Sequence, residues 1–397
     1  RYLQPPGVVD EGMIGLLERA LEMSDDEVTV TRVLLVSRLC GALYYSDRQE
    51  DMRRLSAEAT AMAAELGDPV AGALAASARR RAYWGPSHLE RRLADATQLL
   101  RCAREAQDPE LTLQGHAWLV VDLLERGDRT AVEAQIAAFT AGARDLRQAL
   151  FTWNAAVWRA MTALLDGQLA EAERLAGEAV SSGIRGEDVT ASQYHAVQLM
   201  AIRREQARMG ELEGSVREYV ARRPERSAWR GALATVLLDT GRAEEARAEY
   251  ETVAVAGFAA IPADNDWMTS MAVLADLAVA FDDAERAREL YELMLPFARS
   301  MVVVGMAAAC LGASARYLGR LALVFGERAV AIEHLRHAIE ASRALRAPLE
   351  LAHSQLDYAR ALGPGGEAEA LIASARRTAA KLGLPRVAAR VARPMDR

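Results

Sequence analysis

The sequence predicts an all-α fold, a right-handed superhelical solenoid of about nine helix-turn-helix repeats. Three observations carry that expectation. A helix break recurs about every forty residues along the chain. The clearest breaks, at Gly127, Gly167, Gly241, Asp282 and Gly326, are followed by one shared register of packing residues. And no stretch alternates apolar and polar residues between turn signals, as a half-buried strand would. In the shared register a slim residue comes five positions after the break: Val132, Ala172, Ala246, Ala287, Ala331. Four further on stands Ile136, Ala176, Tyr250, Tyr291 or Leu335, and three beyond that Phe139, Ala179, Val253, Met294 or Ala338.

Each break separates two amphipathic arms with apolar residues at three- and four-residue spacing. In chain order the breaks fall at Ser46-Asp47, Gly85-Pro86, Gly127, Gly167, Gly210, Gly241, Asp282, Gly326 and Gly363-Pro364. The break position needs a residue that tolerates left-handed backbone, hence glycine or aspartate. Seven residues before four of the clear breaks stand Ala160, Ala234, Ala275 and Gly319, small enough to let the first helix lie close on the second. The Gly210 unit is the least regular, its second helix ending at Arg222-Arg223-Pro224, and the longest irregular segment runs from Gly257 to Asp266. The β-branched run Val302-Val303-Val304, followed by alanines, reads as the start of a helix. Residues 1–397 read as one elongated domain, with 386–397, carrying Arg386, Arg390, Arg393 and Arg397, as a basic tail, linker or solvated terminal helix.

Composition narrows the function classes. The chain has 397 residues, 51% apolar and 26% charged, with a net charge of −7, the balance of a soluble protein without the basic excess of a nucleic-acid binder. Cys40, Cys102 and Cys310 are odd in number and scattered, which indicates neither a disulfide framework nor a zinc site, and a reducing cytoplasm fits. No apolar run approaches the roughly twenty residues of a membrane span. The chain starts at Arg1, which suggests a fragment of a longer protein.

The pattern Ala234-x6-Gly241-x4-Ala246-x3-Tyr250 resembles the tetratricopeptide repeat. The longer period, with Tyr83-Trp84-Gly85-Pro86, Trp267 after its acidic loop, and Cys310-Leu311-Gly312 before Arg316-Tyr317-Leu318-Gly319, looks like the helical-repeat region of large bacterial signalling ATPases. These are the MalT-type regulators with a LuxR-like DNA-binding end and their cyclase-linked relatives. That resemblance implies a cytoplasmic sensor or docking arm that holds an ATPase switch inactive until an inducer or a partner binds. It further implies signal transduction or transcription regulation, with no direct nucleic-acid contact by this region and no membrane. The chain itself carries no G-x-x-x-x-G-K-[ST].

No catalytic motif stands out: there is no G-x-S-x-G and no H-E-x-x-H. The expectation is therefore no enzyme, no cofactor and no metal. His334 and His337 share a helix face beside Glu333, but two imidazoles need further ligands to hold a metal. Gly363-Pro364-Gly365-Gly366 lacks the strand and lysine of a phosphate loop. Asp25-Asp26 and Asp282-Asp283 are expected at helix starts, where they complement the helix dipole.

The candidate site is the wall formed by the first helix of each hairpin, where stacked repeats bind partners. Repeat position places Gln114, Trp118, Asn154, Trp158, Arg204, Asp276, Arg316 and Arg320 there. Trp118 and Trp158, each nine before its break, form either an aromatic shelf for a ligand or filling between repeats. Arg316 and Arg320, one turn apart, either grip a carboxylate or phosphate or pair with acids of a neighbouring repeat. The partner is a protein, a peptide or a small-molecule inducer. The alternative function is a small-molecule-binding solenoid with an enclosed pocket lined by Trp118, Trp158 and Arg316. A stand-alone enzyme on a helical-repeat scaffold is the third reading.

Overall fold

A computed structural model describes residues 7–182, 189–222 and 227–392. Among these the chain is an all-α helical-repeat solenoid. Its helices are α1 (Glu11–Glu22), α2 (Val30–Ala42), α3 (Gln49–Leu66), α4 (Pro69–Ala82), α5 (Leu89–Glu105), α6 (Pro109–Arg126), α7 (Arg129–Leu146), α8 (Ala149–Leu165), α9 (Leu169–Ser182) and α10 (Val189–Glu205). They continue with α11 (Glu213–Arg222), α12 (Ser227–Asp239), α13 (Ala243–Ala254), α14 (Trp267–Ala280), α15 (Ala284–Met294), α16 (Ser314–Val324), α17 (Arg328–Ala344), α18 (Pro348–Leu362), α19 (Gly366–Leu382) and α20 (Pro385–Ala392). The nine expected breaks fall between α2 and α3, α4 and α5, and so on to α18 and α19, leaving α1 and α20 outside the hairpins.

The turn chemistry has a common cause. Gly127, Gly167, Gly241, Asp282 and Gly326 all have positive φ, from +54° to +89°. The residue after the break donates its N–H five residues back in four of these turns: Gln168 to Ala163, Arg242 to Leu237, Asp283 to Ala278 and Glu327 to Ala322. That bond satisfies a carbonyl the helix end would otherwise orphan. Close helix approach is explicit at Gly319, where a Cβ would lie 2.5 Å from Leu335 Cγ and 3.1 Å from the Ala331 carbonyl oxygen. Asp283 caps α15 by accepting from the Arg286 N–H at 3.2 Å. Asp25-Asp26, expected at a helix start, instead lie ahead of α2, whose cap is Thr29.

The Val302–Val304 run is not the start of a helix. Met301–Val304 (β1) and Ala309–Ala313 (β2) form an antiparallel hairpin, with Val303 opposite Cys310 and Val304 opposite Ala309. Gly305 and Ala307 at positive φ turn the chain between the strands. Both faces of β1 are buried, so the alternation that marks a surface strand is missing.

Two compact units can be distinguished. The first comprises Arg1–Leu123, Thr130–Ala155 and Val180–Gln193; part of its core is Val33, Leu39, Leu43, Met52, Leu55 and Ala59. The second comprises Leu124–Arg129, Ala156–Ala179 and Tyr194–Arg397. One of its cores joins Met271, Leu277, Leu290 and Leu318, and another joins Leu164, Ile202, Leu349, Ala352 and Val387. The last helices of this unit thus pack back on α8, α9 and α10.

Candidate functional site

In the second unit the polar residues of the first helices neutralise one another. Asp276 on α14 accepts from Arg204 of α10 at 2.6 Å and from Arg320 of α16. Arg316, one turn before Arg320, donates its Nε–H to Asp357 of α18 at 2.8 Å and stands 3.5 Å from Glu350. Arg390 of α20 also reaches Asp357. Glu205 accepts from Arg386 at 2.6 Å and pairs with His353 Nε2 at 2.8 Å, while Arg390 lies 2.7 Å from His353 Nδ1. Because an arginine only donates, His353 must be the neutral tautomer that accepts at Nδ1 and donates at Nε2.

The titration shifts follow from this packing. Burial alone would raise the Asp276 carboxyl, but Arg204 and Arg320 overcome it and hold it well below the usual range. Burial is likewise outweighed at Asp357 by Arg390 and Arg316, and at Glu205 by His353 and Arg386, so both stay depressed. Glu350 is the exception: burial pushes it up to about 7 against the pull of Arg316. Burial lowers His353 to about 3. Arg204, Asp276, Arg316 and Arg320 are therefore brought together, each with its charge already partnered. Arg386 and Arg390, expected in a solvated helix or linker, turn inward on this cluster; Arg393 and Arg397 lie outside the described residues, as does the Arg223-Pro224 end of the irregular unit.

The hairpin is gripped by the same helix class. Trp158 of α8 is fully buried and donates its indole N–H to the Met306 carbonyl at 2.9 Å. Gln198 of α10 donates to the Val157 and Ala308 carbonyls at 2.8 and 3.0 Å. The Tyr194 hydroxyl accepts from the Met306 N–H at 3.2 Å, and Tyr317 donates to the Leu311 carbonyl at 2.8 Å. Trp158 is thus an interior side chain that reads backbone, not a face of an open shelf.

In the first unit Trp118 is also interior, with the Arg80 guanidinium 3.7 Å from its ring centroid and Trp84 edge-on at 5.0 Å. Arg80 makes two bonds to Asp122, at 3.0 and 2.7 Å, and Arg92 a third at 2.6 Å, all three side chains being at most 1% exposed. Asn154 is buried on α8. Gln114 is half-buried on α6 and lines a cleft of about 670 Å³ shared with α1, α2 and α4.

The triplet Arg79-Arg80-Arg81 shows how position sorts identical residues. Arg79 pairs with Asp95 at 2.6 Å, and Arg80 with Asp122. Arg81 points into the cleft wall, its side chain lying across Gly41 of α2 and 5.4 Å from the Trp118 ring centroid. No carboxylate among the described residues pairs with it. Burial is what lowers its pKa, and the groups that counter burial are Cys40, Tyr45 and Tyr44, not an acid.

Among the described residues no group of three metal-ligating side chains comes together, and no helix is long and apolar enough to cross a membrane. His334 bonds to the Tyr291 hydroxyl at 3.0 Å. All three cysteines are free and buried, and burial pushes Cys40 and Cys310 up to about 12.

No protein-family model matches the chain, and no curated protein matches it. Three solved structures are similar to it over most of its length. The hetero-tetramer of APC/C proteins Cut9 and Hcn1 is 12% identical with a TM-score of 0.33, covering 92% of this chain and 84% of that one. The human IFIT1 dimer with m7Gppp-AAAA is 12% identical with a TM-score of 0.28, covering 95% and 74%. The Naa15/Naa10 complex bound to HypK-THB is 13% identical with a TM-score of 0.24, covering 94% and 63%. At these levels nothing of function passes from them to this chain.

Sequence reasoning missed Asp357, Glu350, His353 and Glu205, which complete the cluster, and Tyr194 and Gln198, which hold the hairpin. It also missed Arg81. Repeat position alone could have marked Asp357: Arg316 and Asp357 are 41 residues apart, one repeat, and so sit side by side on neighbouring first helices.

Proposed function

We propose that this chain is the non-catalytic sensor and docking region of a cytoplasmic bacterial signalling or transcriptional regulator. In this reading the first helices of its hairpins receive a protein or peptide partner, or an inducer. The observation that supports it most is the hairpin at 301–313. First-helix side chains Trp158, Tyr194 and Gln198 bind the main chain of a β-segment, the chemistry by which a repeat surface holds an extended partner. The cluster around Asp276 and Asp357 supports the non-catalytic half of the reading. Asp276 and Asp357 are locked as anions by arginines, whereas general acid-base work needs a group poised near the working pH; of the carboxyls described in this cluster only Glu350, at about 7, lies there.

The test is in the parent protein. The reading frame should also encode a switch ATPase, and deleting 1–397 from the full-length protein should raise its basal ATP hydrolysis several-fold. Hydrolysis unchanged by the deletion would count against the docking role. Turnover of any substrate by this chain, abolished by Asp276→Asn with the fold intact, would overturn it.

A further inference from the structure

The first-unit cleft has the makings of a ligand site that the cluster in the second unit lacks. Among its polar lining side chains, Arg81 and Ser77 on α4, Ser37 on α2 and Gln114 on α6 make no side-chain hydrogen bond to any described residue. The Ser37 hydroxyl is shut off from solvent and still has no partner, although a helical serine normally bonds back to the preceding turn. Most of the remaining wall is apolar, from Leu74 and Leu111 among others. The volume of about 670 Å³ lies within the roughly 300–1,000 Å³ of small-molecule sites, which combine apolar walls with a few convergent polar groups.

We propose that this cleft binds a small amphipathic monocarboxylate, its carboxylate on the Arg81 guanidinium and its apolar body against Leu74 and Leu111. An arginine fork matches a carboxylate with two parallel hydrogen bonds, and Ser77 and Gln114 supply further donors. The anion is singly charged for two reasons. Among the described residues Arg81 is the cation inside the cleft without an acid partner, whereas Arg38, the other arginine of the lining, is exposed, and a phosphate dianion calls for more than one. Asp10 and Glu11 stand on the α1 side of the same cleft and repel additional negative charge. The proposal is independent of the docking reading, since it concerns other residues in the other unit and is scored by direct binding.

The test is isothermal titration of the full chain with decanoate, decanamide and decyl phosphate. Decanoate is expected to bind at least tenfold more tightly than decanamide. Arg81→Gln should erase that difference while leaving decanamide unchanged, and Ser77→Leu, which fills the cleft without touching the charge, should weaken both at least tenfold. Arg81→Lys, which keeps the charge but not the fork, should fall between, and it replaces the glutamine variant if that one does not fold. Equal affinity for decanoate and decanamide, tighter binding of decyl phosphate, a preference that survives Arg81→Gln, or no binding of any probe at millimolar concentration would each overturn the proposal.

Discussion

Asp122→Asn is the substitution whose cost the structure defines best. Asp122 is fully buried and is the carboxylate that accepts from both Arg80 and Arg92, through bonds of 3.0, 2.7 and 2.6 Å. The amide keeps the shape but loses the charge, so the two bonds from Arg80 and the one from Arg92 lose their buried anionic acceptor. Breaking a buried pair from one side costs about 3–5 kcal/mol. At about 2–4 °C per kcal/mol for a unit of this size, the melting midpoint should fall by roughly 6–20 °C. Thermal melts by circular dichroism, paired with urea titration followed by tryptophan emission, read this out; Trp84 and Trp118 pack directly on Arg80. The triple variant Arg80→Met, Asp122→Leu, Arg92→Met removes these three charges together and should recover most of the loss, since apolar replacement of a buried ion triad is often neutral or stabilising. A loss under about 1 kcal/mol for Asp122→Asn, the range of exposed pairs, would refute the view that this triad is a desolvated, mutually dependent unit.

Other outcomes follow from the same geometry. Gly319→Ala should destabilise by about 1–3 kcal/mol in a urea titration, because the new methyl would lie 2.5 Å from Leu335 Cγ, which must shift, and tightly against the Ala331 carbonyl. Trp158→Phe leaves the buried Met306 carbonyl without its donor and should cost about 1–3 kcal/mol, together with faster amide exchange at 301–313. His353 is held neutral with its pKa at about 3, while the unfolded chain protonates it near the ordinary imidazole value of 6.5. The unfolded state therefore binds more protons across that window, and stability falls as pH drops from 6.5 toward 3. His353→Gln, which can still donate to Glu205 and accept from Arg390, should flatten this part of the profile by up to about 1.4 kcal/mol per pH unit. An unchanged slope would mean that His353 is protonated in the fold.

The parts of the fold legible in the sequence are those fixed by short-range chemistry. Gly127, Gly167, Gly241, Asp282 and Gly326 announce left-handed turns because few other residues adopt them cheaply. Turns between hairpins were harder to see. Gln107, Arg147 and Arg346 take the same conformation with no sequence mark, held by the packing around them. The hairpin at 301–313 was hidden for a different reason. Its strands are buried on both sides, so they read as apolar runs of no particular period, and only Gly305 and Gly312 at positive φ hint at it. At the site, repeat position grouped Arg204, Asp276, Arg316 and Arg320 but does not say whether they are paired. Pairing depends on distances such as that of Arg204 from Asp276, 72 residues away in sequence. The fates of Arg79, Arg80 and Arg81 make the same point within three residues.

The central claim is that the buried, partnered charges described here are structural and that Arg81, which no described acid holds, is for a ligand. The melting midpoint of Arg316→Gln set beside that of Arg81→Gln tests it most directly. Arg316→Gln strips buried Asp357 and Glu350 of a counter-ion and should melt well below the wild type, whereas Arg81→Gln removes a cation that no acid holds and should melt at or above it. Equal destabilisation by the two substitutions, or a stable Arg316→Gln, would contradict the account.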